Sequence, residues 1–121
     1  HEKYGRVIDV VGTELGRSHS IYEEEPVPVP KDAEYVYLKI QVRGISYRYL
    51  YSFDGVTWME TPCLFDSAKL SEEYIKTVYD AAFTGAFTGM FSVDGLGTAL
   101  PADFDYFSYE EFDMEIDGKY I

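Results

Sequence analysis

The sequence predicts an all-β fold, an antiparallel β-sandwich of the jelly-roll kind, on three observations. Short runs in which apolar and polar residues alternate are separated by turn signals. Aromatic residues make up 17% of the chain, with 12 Tyr and 8 Phe, types that suit pleated, half-buried surfaces. One stretch alone, residues 66–79, has helical character, and it is expected to form one or two short turns around residues 67–78. The 121 residues are enough for one domain spanning 1–121. A chain of this size buries roughly 65% of its unfolded surface, so a core is expected without covalent staples.

In chain order, residues 6–11 (RVIDVV) read as a short strand and Ser18–Tyr22 as a second. Pro26, Pro28 and Pro30 then alternate with valines, and because proline offers no ladder donor this segment is expected as a stiff, extended connection outside any central strand. Residues 35–42 (YVYLKIQV) alternate cleanly: Val36, Leu38, Ile40 and Val42 share one face, Tyr35, Tyr37, Lys39 and Gln41 the other. The apolar face is expected against the core. Gly44 permits a reversal, residues 45–53 (ISYRYLYSF) return, and Asp54-Gly55 supplies a hairpin turn before a third strand at 56–60 that carries Trp58. Residues 35–60 therefore predict a three-stranded antiparallel meander. Ser71, followed by Glu72-Glu73, is placed to cap the helical stretch. Residues 85–93 (GAFTGMFSV) and 102–109 (ADFDYFSY) are expected as further strands, and 111–121 as an acidic, frayed tail. Seven strands are few for a two-sheet jelly roll, and the chain opens at His1, so missing N-terminal strands are expected.

The formal charge of 10 − 22 = −12 repels phosphate backbones and anionic lipid, which argues against nucleic-acid and membrane partners. A neutral sugar is indifferent to that field. No apolar run approaches the ~20 residues of a membrane span. Cys63 is the single cysteine, so no internal disulfide forms; with no signal segment visible, the expectation leans to a reducing, cytoplasmic setting.

Few residues invite chemistry. No Cys or His cluster has zinc-ligand spacing. Asp94, Asp103 and Asp105 are the oxygen donors that calcium would use, but no EF-hand loop is present and solvent-facing carboxylates are the simpler reading, so no cofactor is expected. No nucleophile elbow occurs, and the glycines between Gly85 and Gly89 lie within a strand pattern, away from any helix start that could cradle phosphate. Twenty-two acids give chance carboxylate pairs, and none stands out as a glycosidase dyad. Sugar contact suits the composition better. Tyr35, Tyr37, Gln41 and Arg43, with Arg48 nearby, combine rings for stacking with groups that bond hydroxyls, although an ordinary sheet surface has the same residue types.

A resemblance rests on the order of five segments: VYLKIQVRG (36–44), YRYLYSFDGVTW (47–58), FDSAKLSEEY (65–74), FTGAFTGM (83–90) and ADFDYFSYEE (102–111). Together they resemble the C-terminal, concanavalin A-like β-sandwich domain of glycoside hydrolase family 43 β-xylosidases and α-L-arabinofuranosidases. The opening HEKYGRV (1–7) is similar to a segment midway through that domain. The resemblance implies a domain without catalytic residues that packs on a five-bladed catalytic β-propeller and takes part in oligomer contacts. It also implies that an aromatic near the TGAF strand, Phe83 or else Phe87, helps close the propeller's pocket around xylo-oligosaccharide or arabinose-bearing sugars. Two departures bear on that role. Lys76–Ala82 (KTVYDAA) replaces a glycine-rich stretch, and Phe91-Ser92-Val93 replaces a cysteine-bearing one. The other readings are a free-standing carbohydrate-binding module and a structural or homo-oligomerisation domain.

Overall fold

The computed structural model describes residues 1–23, 25–80 and 85–112. Its strands pair antiparallel throughout, and one short α-helix accompanies them. The chain divides into two units, His1–Phe87 and Thr88–Ile121.

In the first unit, β1 (Val7–Ile8) pairs with β4 (Val27–Pro28). The two-residue length of β4 follows from the prolines, which cannot extend a ladder. Arg6 ties the proline segment down by donating to the carbonyls of Pro30, Lys31 and Ala33 at 3.1–3.4 Å. β2 (Val11–Glu14) and β3 (Arg17–Ser20) form a hairpin whose two-residue turn, Leu15-Gly16, has positive φ at both positions, 52° and 72°.

The main sheet has four strands. β5 (Tyr37–Arg43) pairs with β6 (Ser46–Ser52) over seven residues, from Tyr37 opposite Ser52 to Arg43 opposite Ser46. On the far side of β6 lie β7 (Met59–Glu60) and β8 (Phe65–Asp66). The three strands of the expected meander are present, but the third is shorter than the 56–60 expected: β7 spans Met59–Glu60, and residues 53–58, Trp58 among them, form the connection, while β8 adds a strand that the sequence pattern does not reveal. A 3-10 turn at Ser67–Leu70 leads into α1 (Glu72–Tyr79), where Ser71 caps as expected: its hydroxyl accepts from the Tyr74 amide at 3.2 Å. The helix ends at Asp80, which adopts the left-handed conformation with φ 51°. It is joined to the β2–β3 hairpin by the Tyr74 hydroxyl, which donates to Glu14 Oε1 at 2.7 Å, and by the Leu15 amide, which donates to the Tyr79 hydroxyl at 2.7 Å.

Two element-level expectations are corrected. Residues 85–93 and 102–109 run without strand pairing. Alternation gives a segment two unlike faces, but a strand also needs a neighbour to receive its ladder bonds, and among the described residues neither segment has one. In the second unit the described stretch instead organises locally around Asp94. Its Oδ2 accepts from the Ala99 amide at 2.8 Å and its Oδ1 from the Thr98 amide at 3.0 Å, which holds the carboxyl below its ordinary pKa. Of the acidic tail, residues 113–121 lie outside the described residues.

Candidate functional site

The opposed residues of β5 and β6 define two faces of the main sheet. One carries Tyr37, Lys39, Gln41 and Arg43 from β5 with Ser46, Arg48, Leu50 and Ser52 from β6. The other carries Leu38, Ile40 and Val42 with Tyr47, Tyr49 and Tyr51, extended by Met59 and Phe65. The four aromatic and polar residues singled out as a sugar platform thus lie along one face: Tyr37, Gln41 and Arg43 within β5, and Tyr35 just before it.

That face is more covered than expected. Tyr37 and Gln41 are half-buried, and Leu50 (6% exposed) and, at the end of β6, Ser52 (0%) are buried on it. The Tyr37 ring lies over the hairpin turn so closely that a Cβ on Gly55 would come within 3.2 Å of its Cζ. Between Tyr37 and Gln41, Lys39 Nζ stands 3.8 Å above the Trp58 ring. Arg48 bonds Glu60 at 2.6 Å across the same face. Tyr35 remains open, 54% exposed, with its ring 6.3 Å from that of Tyr37. Trp58 and Lys39 were not singled out as contact residues. Their signal is spatial: the turn folds Trp58 back over β5.

The apolar face is the more open one. Leu38 is 70% and Val42 67% exposed, and Ile40 also reaches solvent. Only its β6 side is consolidated. There Phe65 stacks on Tyr47 at 5.1 Å and meets Tyr49 edge-on at 5.4 Å, and burial pushes both tyrosine hydroxyls above their usual pKa.

The Asp54 turn positions this arrangement. Ser52 Oγ donates to Asp54 Oδ1 at 2.9 Å and accepts from the Gly55 amide at 2.9 Å. The same carboxylate oxygen accepts from the amides of Thr57 (2.7 Å) and Val56 (2.8 Å). These backbone donors, Thr57 first, hold the Asp54 carboxyl far below the usual carboxylate range. Gly55, at φ 75°, completes the turn.

Of the two pocket-closing candidates, Phe83 lies outside the described residues. Phe87 is described and is almost fully solvent-exposed, at 96%. Asp94 is engaged by its own loop. Among the described residues no group of three or more His, Cys, Asp or Glu could hold a metal ion. Cys63 is half-buried.

The model of the β-xylosidase C-terminal Concanavalin A-like domain, of glycoside hydrolase family 43, matches residues 1–110. The chain belongs to this family. Its described antiparallel strands and short α-helix fit the family's all-β sandwich. It is 43% identical over 109 residues to a protein described as "Putative beta-xylosidase" from Escherichia coli (strain K12), covering 90% of this chain and 20% of that protein. It is 36% identical over 110 residues to the Beta-xylosidase of Bacillus subtilis (strain 168), covering 91% and 20%. With the Xylan 1,3-beta-xylosidase of a Vibrio species it shares 37% identity over 106 residues, covering 88% and 19%. The chain therefore spans about a fifth of the length of the curated relatives it matches. It corresponds to the C-terminal, non-catalytic domain of family 43 β-xylosidases, whose catalytic site lies in the N-terminal domain.

Proposed function

We infer that this domain packs against the catalytic β-propeller of a family 43 glycoside hydrolase acting on xylan-derived or arabinose-bearing sugars, and that it helps shape the propeller's sugar pocket. The observation that carries this reading is the family match over residues 1–110 to a domain whose relatives, named for β-xylosidase activity, extend far beyond it. An exposed aromatic supports it. A phenylalanine left open at 96%, as Phe87 is, gains burial when a partner surface closes on it, worth on the order of 2 kcal/mol for a fully buried ring. Phe83 and Phe87 are the residues assigned to the pocket. The test is to place Phe83→Ala and Phe87→Ala separately in the full-length enzyme and measure hydrolysis of an aryl β-xyloside. Loss of kcat/KM in one variant supports the assignment; unchanged kcat and KM in both reject it.

A second reading, a carbohydrate-binding module, draws on Tyr35, which stands exposed beside Tyr37. Calorimetric titration of the domain alone with xylo-oligosaccharides separates the two. Heat that Tyr35→Ala abolishes favours the module, and absence of heat at millimolar sugar removes it.

A further inference from the structure

We propose that Tyr74 and Tyr79 are positioning residues for Phe83: their hydroxyls fix α1 to the β2–β3 hairpin, and so fix the point from which the chain runs on to that aromatic. This role rests on the pocket-shaping reading and names what orients its side chain.

Little else holds α1. An isolated helix of eight residues is marginal in water, so tertiary contacts must set both its existence and its place. Yet none of its residues is fully buried; Tyr74, Ile75 and Val78 are half-buried and the others exposed. Its bonds to the hairpin come at both ends. In the first turn the Tyr74 hydroxyl donates to Glu14 Oε1 at 2.7 Å, and at the last residue the Tyr79 hydroxyl accepts from the Leu15 amide at 2.7 Å. Glu14 ends β2 and Leu15 opens the turn, so both ties reach the tip of one hairpin. Lys69, at 3.6 Å from Glu14, joins the preceding 3-10 turn to the same carboxylate. A single tie would let the helix pivot. Two ties, about 7.5 Å apart along its axis, set its direction.

The Tyr79 link runs between two strained residues. Leu15 and Asp80 have φ of 52° and 51°, a conformation that L-residues resist and keep only where their surroundings enforce it. The Leu15 amide is the donor to Tyr79, and the Asp80 amide closes the helix by donating to the Lys76 carbonyl at 3.1 Å. The end of α1 is thus a defined point. Phe83 follows Asp80 by three residues, a reach of at most about 11 Å, whereas Phe87 follows by seven, a reach of about 25 Å. No glycine lies between Ser71 and Phe83 to loosen the connection. A swing of α1 by about 20° around the Tyr74 tie would carry Asp80 by about 3 Å. A shift of about 1 Å in a group that lines a pocket is enough to lower turnover.

The test uses the full-length enzyme and an aryl β-xyloside, with kcat and KM measured for each variant in the wild-type and Phe83→Ala backgrounds. Tyr79→Phe and Tyr74→Phe each remove one oxygen and keep the ring; an unchanged melting temperature shows that the fold is kept. In the wild-type background each is expected to lower kcat/KM by about threefold or more, and in the Phe83→Ala background by less than about 1.5-fold. Glu14→Gln keeps an acceptor for the Tyr74 hydroxyl and is expected to retain the activity that Glu14→Ala loses. If Phe83→Ala lowers kcat/KM while both tyrosine variants match the wild type, the positioning role is overturned and the pocket-shaping role stands. Equal losses with and without Phe83 would also overturn it, since the tyrosines would then act by another route. A Phe83→Ala enzyme with unchanged kcat and KM removes the pocket role of Phe83 and the positioning role with it.

Discussion

Ser52→Ala is expected to destabilise the domain by about 2 kcal/mol, a large effect for the loss of one oxygen atom. Ser52 is 0% exposed, and its Oγ joins the end of β6 to the turn that follows. The substitution removes a 2.9 Å bond donated to the Asp54 carboxylate and a 2.9 Å bond accepted from the Gly55 amide; a third, from the Asp54 amide at 3.3 Å, is long enough to count for little. A bond to a charged group contributes about 1.5–3 kcal/mol net and a neutral one about 1. Asp54 keeps its bonds to the Val56 and Thr57 amides and its access to water, which brings the sum to the lower end. Urea unfolding followed by Trp58 fluorescence measures the change, with an unaltered m-value showing that both proteins unfold alike. A loss below about 0.5 kcal/mol would show instead that water or a rearranged turn replaces both bonds.

Three further outcomes follow from the turns. Gly55→Ala should destabilise by about 1–2 kcal/mol from positive φ alone and by more from the Tyr37 ring, whereas Gly16→Ala, at similar φ with nothing near its Cβ, should cost only the conformational part; parallel denaturation curves decide the order. Leu15→Asn should stabilise by roughly 0.5–1 kcal/mol, because asparagine accepts the left-handed conformation that leucine resists at the first position of the β2–β3 turn, and a higher melting temperature checks it. The Asp54 carboxyl is depressed in the folded state, so its contribution is fully present above the ordinary Asp range near ~3.9 and is lost as pH falls through the lower folded value. Asp54→Asn should flatten that part of the acid-unfolding profile, and an unchanged profile would contradict the role given to the turn.

What was legible in the sequence was local. The β5–β6 hairpin, the Asp54-Gly55 turn and the Ser71 cap each follow from residue types at fixed spacing, and each is present. The β2–β3 turn was not legible, because Leu15-Gly16 lacks the Asn-Gly or Asp-Gly chemistry that marks such turns. β8 escaped because two residues are too few to show a period. Alternation in β5 correctly sorted its residues onto two faces but assigned the cover wrongly: the apolar Leu38 and Val42 are largely open, and the Tyr37–Gln41 side is half-buried. Which face is covered depends on what packs there, and Trp58 reaches β5 through a turn rather than through any pattern within the strand. The same limit applies to residues 85–93 and 102–109, whose patterns are strand-like but whose described parts lack pairing partners. Of the proposed sugar contacts, the shared face of Tyr37, Gln41 and Arg43 followed from period two, while Trp58 and Lys39 above that face did not.

The proposed role of this domain is to serve a catalytic site that it does not contain. Its most direct measurement is xyloside hydrolysis by three samples: this chain alone, a family 43 catalytic domain lacking its C-terminal domain, and the two combined or joined in one polypeptide. No turnover is expected from the chain alone, and kcat/KM is expected to rise when the catalytic domain regains it. Turnover by the chain alone, or a catalytic domain whose kcat and KM are the same with and without it, would contradict the claim.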